Sequence, residues 1–383
     1  MPLKILVVIE KDSWVDSHIA NSLELMGHAV FRFYFGEYVS EFYGFSRHSE
    51  RVQKNAALLD RAKKLRDTEG LDLIFCYVYD DFLLPRYAKA LSALNVPMVN
   101  YNVDMPYQWY RQIRTACYFD LMLCAQPDNM TILAQYSKKV LYFPMAAQPA
   151  LPTEAKVMQS KKMHDVSFVG TALPYRRTML SALSNESMSL SIYGKYWDSA
   201  EPQNRITSKE RTLRDIWHYG YPRLKAEGLG NLLTALSDRF AVRDAKIPST
   251  MIYPGAIRGR FDGNDLSSLF RDSKINIGLS RFSGDNPNHI GKCQMKLRDF
   301  EVPMSGGFYL CEKSPGYDQA FVDGKEVVMW QTLPELLEKI NYYLVHDEER
   351  ELIAMAGQKR ALQDHTWAIR FSKLLAELKI GTI

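Results

Sequence analysis

The sequence of 383 residues has few features of a secreted or membrane-bound chain. It contains only five cysteines, with no CxxC pair and no His-rich spacing of the kind that binds zinc. No apolar run approaches the roughly 20 residues of a membrane-spanning helix. The N-terminal stretch MPLKILVVIEK is charged on both sides of a short apolar run, which predicts a first β-strand instead of a signal peptide. We therefore expect a cytoplasmic protein with reduced thiols, no zinc site and no membrane span.

The chain also has little excess charge of either sign. Its 48 Lys and Arg residues nearly balance 44 Asp and Glu residues, which leaves a formal net charge of +4. A nucleic-acid partner is therefore not demanded, although an anionic substrate is compatible with this balance. The hydrophobic content of 46% is that of an ordinary globular protein. A chain of this length predicts two domains.

Apolar β-branched runs alternate with helical segments in two successive series. The first series opens with KILVVI and predicts a doubly wound α/β domain over residues 1–145. A proline-containing, mixed-charge stretch over 146–164 is typical of a linker. The second series opens with VSFVG and predicts an α/β domain over 165–360, with an irregular basic insertion at 197–248 and a strand at Met251–Tyr253. Two such domains predict a ligand cleft facing the carboxyl ends of both sheets.

The stretch from Lys292 to Glu312 concentrates the features of an anion site. Its pattern predicts a helix over Met295–Ser305, a break at Gly306 and a buried strand over Phe308–Cys311. A helix N-terminus with nearby cations suits a diphosphate, and a carboxylate suits ribose hydroxyls. The alternative is a solvated helix face with an i,i+3 ion pair. The candidate binding residues here are Lys292, Lys296, Arg298, Glu301 and Gly306.

Other turns of the second domain add weaker candidates for a phosphate or a base. Gly170 and Thr171 form a small-residue turn after VSFVG, with Arg176 on the next helix. The alternative is a tight turn with solvated arginines. Tyr193 and Lys195 end another strand, where a simple strand terminator is the competing interpretation. His289 lies in a Gly- and Asn-rich loop, where a hydrogen-bonding loop histidine is the commoner role.

Three residues of the first domain could activate an acceptor hydroxyl as a general base. Asp104 follows a buried strand in NVDMP, and Asp16 and His18 follow the first strand. Asp16 could equally cap the first helix, and His18 could be an ordinary residue of its first turn.

Several segments, in order, resemble one family. They are DVSFVGTALPYRRTMLSAL, SLSIYGKYW, SKINIGLS, KLRDFEVPMSGGFYLCE, FVDGKEVVMW and ELLEKINYYLVHDEERELIAMAGQKRALQDHTWAIR, with a looser match in VNYNVDMPYQWY and FDLMLCAQPDNMTIL. The chain resembles the CgeB-like (spore maturation protein type) glycosyltransferases, a GT-B group with a C-terminal domain of the group-1/family-4 type.

This resemblance implies a GT-B fold of two Rossmann-like domains, with a C-terminal helix over 361–383 that crosses back to the first domain. It implies an enzyme that moves a sugar from a UDP-, GDP- or dTDP-sugar, bound by the second domain, to a hydroxyl of a glycan, protein or other acceptor. No metal or other cofactor is implied. A retaining outcome is expected, whereas an inverting enzyme would need one of the bases named above.

The resemblance also assigns individual roles. Glu301 matches the second glutamate of the E-x7-E motif, which binds the ribose, whereas Cys293 stands in place of the first. Arg176 falls where the family has a diphosphate-binding lysine, and Thr171 replaces an arginine. Lys292, Lys296 or Arg298 could supply the missing charge. Asp104 ends the strand where related enzymes carry a functional histidine or aspartate near the sugar. A non-catalytic nucleotide or sugar binder and, less favoured, an enzyme modifying nucleic acid bases are the alternatives.

Overall fold

The computed structural model describes residues 2–10, 14–35, 48–80, 82–149, 162–184, 188–197, 224, 252–261, 266–281 and 293–381. These residues form two compact units. One takes in the described residues of Met1–Pro144, Ile206–Ser237 and Trp367–Ile383, and the other takes in those of Met145–Arg205 and Asp238–Thr366. Most of the predicted linker, 146–164, and of the predicted insertion, 197–248, lies outside the described residues.

The first unit is built on a six-stranded parallel sheet in the order β2-β1-β3-β4-β5-β6. Its strands are almost continuous apolar runs, because helices cover both faces of a parallel sheet. The strands are β1 (Lys4–Ile9), β2 (Ala29–Tyr34), β3 (Leu73–Cys76), β4 (Met98–Asn102), β5 (Leu121–Cys124) and β6 (Val140–Tyr142).

The helices of the first unit follow these strands in the βα alternation that the sequence predicts. The helix after β1 begins as a π-helical turn, Asp16–Ala20, and continues as α1. The α-helices are α1 (Asn21–Leu25), α2 (His48–Glu69), α3 (Pro85–Ser92), α4 (Met105–Gln108) and α5 (Met130–Ala134), with short 3-10 turns at Trp109–Arg111, Ala116–Tyr118 and Pro127–Asn129.

The second unit is built on a five-stranded parallel sheet in the order β11-β10-β9-β7-β8. The strands are β7 (His164–Val169), β8 (Leu190–Tyr193), β9 (Ser273–Gly278), β10 (Tyr309–Glu312) and β11 (Val328–Trp330). The helices of this unit are α6 (Pro174–Leu183), α7 (Leu266–Asp272), α8 (Arg298–Met304), α9 (Tyr317–Ala320), α10 (Leu333–Val345) and α11 (Asp347–Asp364), with a 3-10 turn at Pro254–Ala256.

Both sheets share one connection pattern. In each, the first strand lies between the second and the third, so the chain reverses direction across the sheet between strands one and three. These reversal points lie between β1 and β3 in the first unit and between β7 and β9 in the second. Ligands of open α/β sheets bind at such points, outside the carboxyl ends of the strands.

The last helix, α12 (Trp367–Leu378), belongs to the first unit, as the predicted crossing back requires. Trp367 and Phe371 are fully buried, and the Phe371 ring packs edge-on against Phe75 at 5.9 Å. The Trp367 ring packs edge-on against Tyr101 at 6.3 Å. The apolar face of α12 therefore completes the core of a sheet that the first 144 residues begin.

Some predicted boundaries are wrong. The helix predicted over Met295–Ser305 begins only at Arg298, because a turn at Lys296–Asp299 precedes it. In place of the strand predicted over Met251–Tyr253, Ile252 and Tyr253 are irregular, and the nearest pairing is an isolated bridge between Ile192 and Ile257. Within the described residues, no helix combines the length and the apolar character needed to cross a membrane.

Candidate functional site

The carboxyl edge of the second sheet brings together three cations that are distant in the sequence. Arg176 projects from α6 after β7, and Lys296 and Arg298 lie at the start of α8 after β9. All three line one cavity together with Gly278, Leu279 and Ser280 at the end of β9. The cations thus meet at the point where the sheet reverses, which is the expected location of a ligand.

Gly170 makes room for Arg176. A side-chain carbon at Gly170 would lie 2.9 Å from Arg176 Nη1, so a larger residue would push the guanidinium away. Arg176 Nη1 donates to the carbonyl of Thr171 at 3.0 Å, and the guanidinium stacks over Phe168 at 5.5 Å. Its Nε atom has no hydrogen-bond partner among the described residues. The turn after β7 therefore holds Arg176 and leaves part of its hydrogen-bonding capacity for a ligand.

Arg298 is held in a similar way from the other side. Its guanidinium lies over Phe270 at 5.7 Å and forms an i,i+3 ion pair with Glu301. The pKa of both Arg176 and Arg298 is lowered to about 10, mainly by burial, and the nearby charge of Arg176 contributes to the lowering at Arg298. An anion placed beside two such buried cations would stabilise their charged forms.

In the turn before α8, a backbone N–H group is hydrogen-bonded to a side chain of the same turn. The Lys296 backbone N–H donates to Asp299 Oδ2 at 2.5 Å, and Tyr309 donates its hydroxyl to Asp299 Oδ1 at 2.6 Å. Asp299 is buried, which raises its pKa. Lys296 Nζ donates to the carbonyl of Leu279 at 3.1 Å. The backbone N–H of Lys296 already donates to the Asp299 carboxylate. A phosphate at this edge would therefore be bound by the charged side chains.

The cavity between these side chains has a volume of about 30 Å³. A space of this size holds one or two water molecules. A ligand much larger than water would therefore have to bind at the rim of the cavity and reach the cations from there.

The buried carboxylate of Glu312 fixes the loop that follows β9. Glu312 Oε2 accepts the backbone N–H groups of Ser280 at 2.8 Å and Arg281 at 3.0 Å. Glu312 Oε1 accepts the Tyr175 hydroxyl at 2.6 Å and pairs with Arg281 Nη2 at 3.0 Å. The Arg281 guanidinium also lies over the Tyr175 ring at 5.1 Å. The sequence did not single out Glu312, although its position at the end of a buried strand is the signal that could have found it.

The remaining predicted residues of the second unit lie in different surroundings. The Tyr193 ring packs edge-on against His164 and Phe261, and the exposed Lys195 accepts the Ala172 backbone N–H through its carbonyl at 3.0 Å. Gly306 has a positive φ of 81° and ends α8, at the opposite end from Arg298. The structure does not bring these three residues to the cavity.

Two predicted residues, His289 and Lys292, lie outside the described residues. Cys293, the position at which the resemblance would place a glutamate, forms an isolated antiparallel bridge with Arg281. Burial raises the pKa of the Cys293 thiol. Cys293 therefore helps to close the two ends of the segment between β9 and α8.

At the carboxyl edge of the first sheet, acidic and aromatic groups gather at the reversal point. Glu10 follows β1, Tyr77 and Tyr79 follow β3, and Asp104 follows β4. Burial raises the pKa of Tyr79, and the charge of Asp104 raises it further, as does that of Glu10. The Arg111 guanidinium lies over the Tyr79 ring at 4.2 Å. Asp104 therefore shares one site with groups that the sequence pattern alone did not single out.

Glu10 is the carboxylate at this edge that the sequence pattern did not single out. Burial raises the pKa of its carboxyl, and the positive charge of Arg111 partly offsets this rise. Its signal was the same as that of Asp104, a carboxylate directly after a buried strand.

Asp16 and His18 both lie in the π-helical turn. Asp16 Oδ1 pairs with Arg32 Nε at 2.7 Å, and its Oδ2 accepts the Tyr34 hydroxyl at 2.7 Å. The His18 ring lies 6.2 Å from the Trp14 ring. Asp16 has the contacts of a structural carboxylate, joining this turn to β2. Among the described residues, no three His, Cys, Asp or Glu side chains are grouped as metal ligands.

The fold is that of several solved sugar-transferring proteins. The sucrose-phosphate synthase from Thermosynechococcus elongatus superposes with a TM-score of 0.57 at 12% identity, over 98% of this chain and 99% of that one. Anabaena Alr3699/HepE, solved with UDP and glucose, gives the same four values. A UDP-forming trehalose-phosphate synthase from Burkholderia vietnamiensis gives a TM-score of 0.54 at 13% identity, with 98% and 99% coverage. These likenesses confirm the predicted GT-B fold.

No curated protein sequence matches the chain. The sequence model of the glycosyl transferase-like family, in contrast, matches residues 176–376. That segment begins at Arg176 and includes every cation of the second sheet's edge described above. Because the match spans more than half of the chain, the protein belongs to the glycosyl transferase-like family.

Proposed function

We propose that this glycosyltransferase moves a sugar from a nucleoside diphosphate sugar to an acceptor hydroxyl, as a CgeB-like enzyme. The observation that carries the proposal is the meeting of Arg176, Lys296 and Arg298 at the reversal point of the second sheet. In this assignment the cations bind the diphosphate, and Gly170 and Thr171 line its approach. Glu301, which already lies beside Arg298, turns to the ribose hydroxyls.

The cations also suit the chemistry of the transfer. The bond between the anomeric carbon and the diphosphate oxygen breaks while the acceptor oxygen bonds to that carbon, so negative charge grows on the leaving diphosphate. Arginines and lysine aimed at that charge lower the barrier. The acceptor proton passes to the leaving phosphate if the configuration is retained, and to a carboxylate such as Asp104 if it is inverted. We favour retention, because Glu301 matches the second glutamate of the retaining family's motif.

A UDP-sugar is the first donor to test, since Alr3699/HepE was solved with UDP-glucose and the Burkholderia enzyme is described as UDP-forming. The acceptor hydroxyl would bind in the first unit, near Asp104. Activity without added metal and a cytoplasmic location complete the proposal.

The proposal is tested with a panel of nucleotide sugars, scored by thermal shift and by donor hydrolysis. One donor should stabilise the wild type and be hydrolysed, and both Arg176→Ala and Glu301→Ala should lose the effect. Unchanged activity in both variants would contradict the site. Chelator should leave hydrolysis unchanged, and a loss would contradict metal independence.

A non-catalytic binder is the second candidate, because Cys293 replaces the motif's first glutamate. Stabilisation by a nucleotide sugar without hydrolysis or transfer to any acceptor would favour it.

A further inference from the structure

Exposed apolar side chains are concentrated on two consecutive helices of the second unit. Ten large apolar side chains of the described residues are at least 38% exposed, and five of them lie between positions 342 and 362. Scattered exposed apolar residues are ordinary, whereas a cluster on one face marks an interaction surface. The five are Tyr342, Val345, Leu352, Met355 and Leu362.

Three of these exposed side chains, Leu352, Met355 and Leu362, lie on α11, away from its buried face. The opposite face of this helix carries Ile353, Ala354, Gly357 and Ala361, all buried. At Gly357 the helix approaches the carbonyl of Glu326 so closely that an added side-chain carbon would lie 2.2 Å from it. The inner face is thus fully used, whereas Leu352, Met355 and Leu362 on the outward face remain exposed.

The outward face has the spacing of a helix-pairing seam. Glu348, Leu352, Met355, Lys359 and Leu362 follow each other at alternating intervals of four and three residues, and all five are exposed. This repeat keeps side chains on one side of a helix that packs lengthwise against another helix. An 18-residue helix such as α11 is about 27 Å long, which is enough for such a contact.

We propose that α11 pairs with α11 of a second copy of this chain, antiparallel about a two-fold axis that crosses between Ile353 and Ala354. This register sets Leu352 opposite Met355 of the partner subunit and Glu348 opposite Lys359 of the partner subunit. One register therefore matches apolar with apolar and acid with base, twice over by symmetry, as a two-fold interface requires.

Reversing the charge of Glu348 or Lys359 tests this pairing without disturbing the core, because both side chains are exposed. In Glu348→Lys, two lysines face each other at both ends of the pair, and in Lys359→Glu two acids do. Each single variant should weaken the dimer at least about tenfold, since like charges in contact cost several kcal/mol. The double variant Glu348→Lys with Lys359→Glu exchanges the signs and should restore the wild-type mass.

Mass is measured by light scattering after size exclusion, on the full chain, from low micromolar concentrations upward. Leu352→Asp should give a monomer, whereas Leu25→Asp, a matched exposed leucine of the first unit (74% against 67% exposed), should stay dimeric. A monomeric wild type, unaffected single variants or a double variant that stays monomeric would each overturn the proposal. Binding of a monomeric wild type to lipid vesicles, lost in Leu352→Asp, would assign the surface to a membrane instead.

Discussion

The two sheets place opposite chemistry at the same topological position. The first sheet carries Glu10 and two buried tyrosines at its reversal point, with Asp104 after the neighbouring strand β4 and Arg111 as the cation beside them. The second carries Arg176, Lys296 and Arg298. Since the strand order is the same, the connection pattern does not decide what each edge binds. The side chains following each strand do: the first edge suits proton transfer from a hydroxyl, and the second suits a polyphosphate.

The largest effect is expected when a carboxylate at the acidic edge of the first sheet is neutralised. In Asp104→Asn, we expect transfer to the acceptor to fall about 100-fold or more if the configuration is inverted and Asp104 is the general base. If it is retained and the leaving phosphate takes the proton, transfer should change little. Donor affinity should be unchanged in both cases. The control is Asp120→Asn, a carboxylate of the same sheet that precedes β5 and pairs with Lys138 at 2.9 Å. Equal loss in both variants would show a general effect on the fold instead of a role in proton transfer.

Removing one cation tests the other edge. Arg176→Ala should lower donor hydrolysis about 100- to 1,000-fold, because one of the groups facing the growing phosphate charge is lost. Its neighbour Arg177 points away, stacks over Trp197 at 5.4 Å and gives a matched loss of charge in Arg177→Ala. The assignment fails if the Arg177 variant loses as much hydrolysis as the Arg176 variant at equal folded fraction.

Glu312 offers a smaller effect that separates positioning from binding. Glu312→Gln keeps the shape but removes the negative charge facing Arg281, so we expect the free energy of unfolding to fall by about 1–3 kcal/mol. Urea unfolding with circular dichroism measures it. Donor affinity should fall less than in Arg176→Ala, since Glu312 lies beneath the loop. No change in stability would mean that the buried ion pair contributes nothing.

The smallest effect is a pH dependence. Both Arg176 and Arg298 have a pKa of about 10, so they are charged at neutral pH and lose charge as the pH rises through that value. Affinity for the nucleotide, followed by calorimetry, should therefore fall severalfold there. Arg176→Ala retains only one of the two arginines, so its affinity should fall less steeply with pH than that of the wild type. Titration of the nucleotide itself affects both proteins equally and cancels in the comparison. Parallel curves would contradict the role of Arg176.

Much of the fold was predictable because parallel strands are nearly pure apolar runs. KILVVI and VSFVG mark the central strands, and the residue after such a run lies at the carboxyl edge. That rule placed Asp104, and the next helix placed Arg176. The same rule applied to Glu10 and Glu312 would have found both.

What failed depends on contacts that local pattern does not encode. Glu312 is hydrogen-bonded to Tyr175, which is 137 residues away in the sequence, and to Ser280, which is 32 residues away. The start of α8 was misplaced because Asp299 bonds the Lys296 amide and holds a turn there, although Met295 and Leu297 fit a helical pattern. Tyr193 ended the predicted strand, but strand alternation did not show that its ring turns towards His164.

The return of the chain to its first unit has a consequence for synthesis. Trp367, Phe371 and Leu374 are buried in the first unit, yet they are made only after the second unit. Arg370 Nε also donates to the carbonyl of Pro144, at the end of the first unit's main segment. The first unit therefore has an incomplete core until the second unit has been synthesised and α12 follows it. A fragment that stops at Pro144 should be aggregation-prone, whereas the same fragment supplied with a peptide of 367–381 should fold.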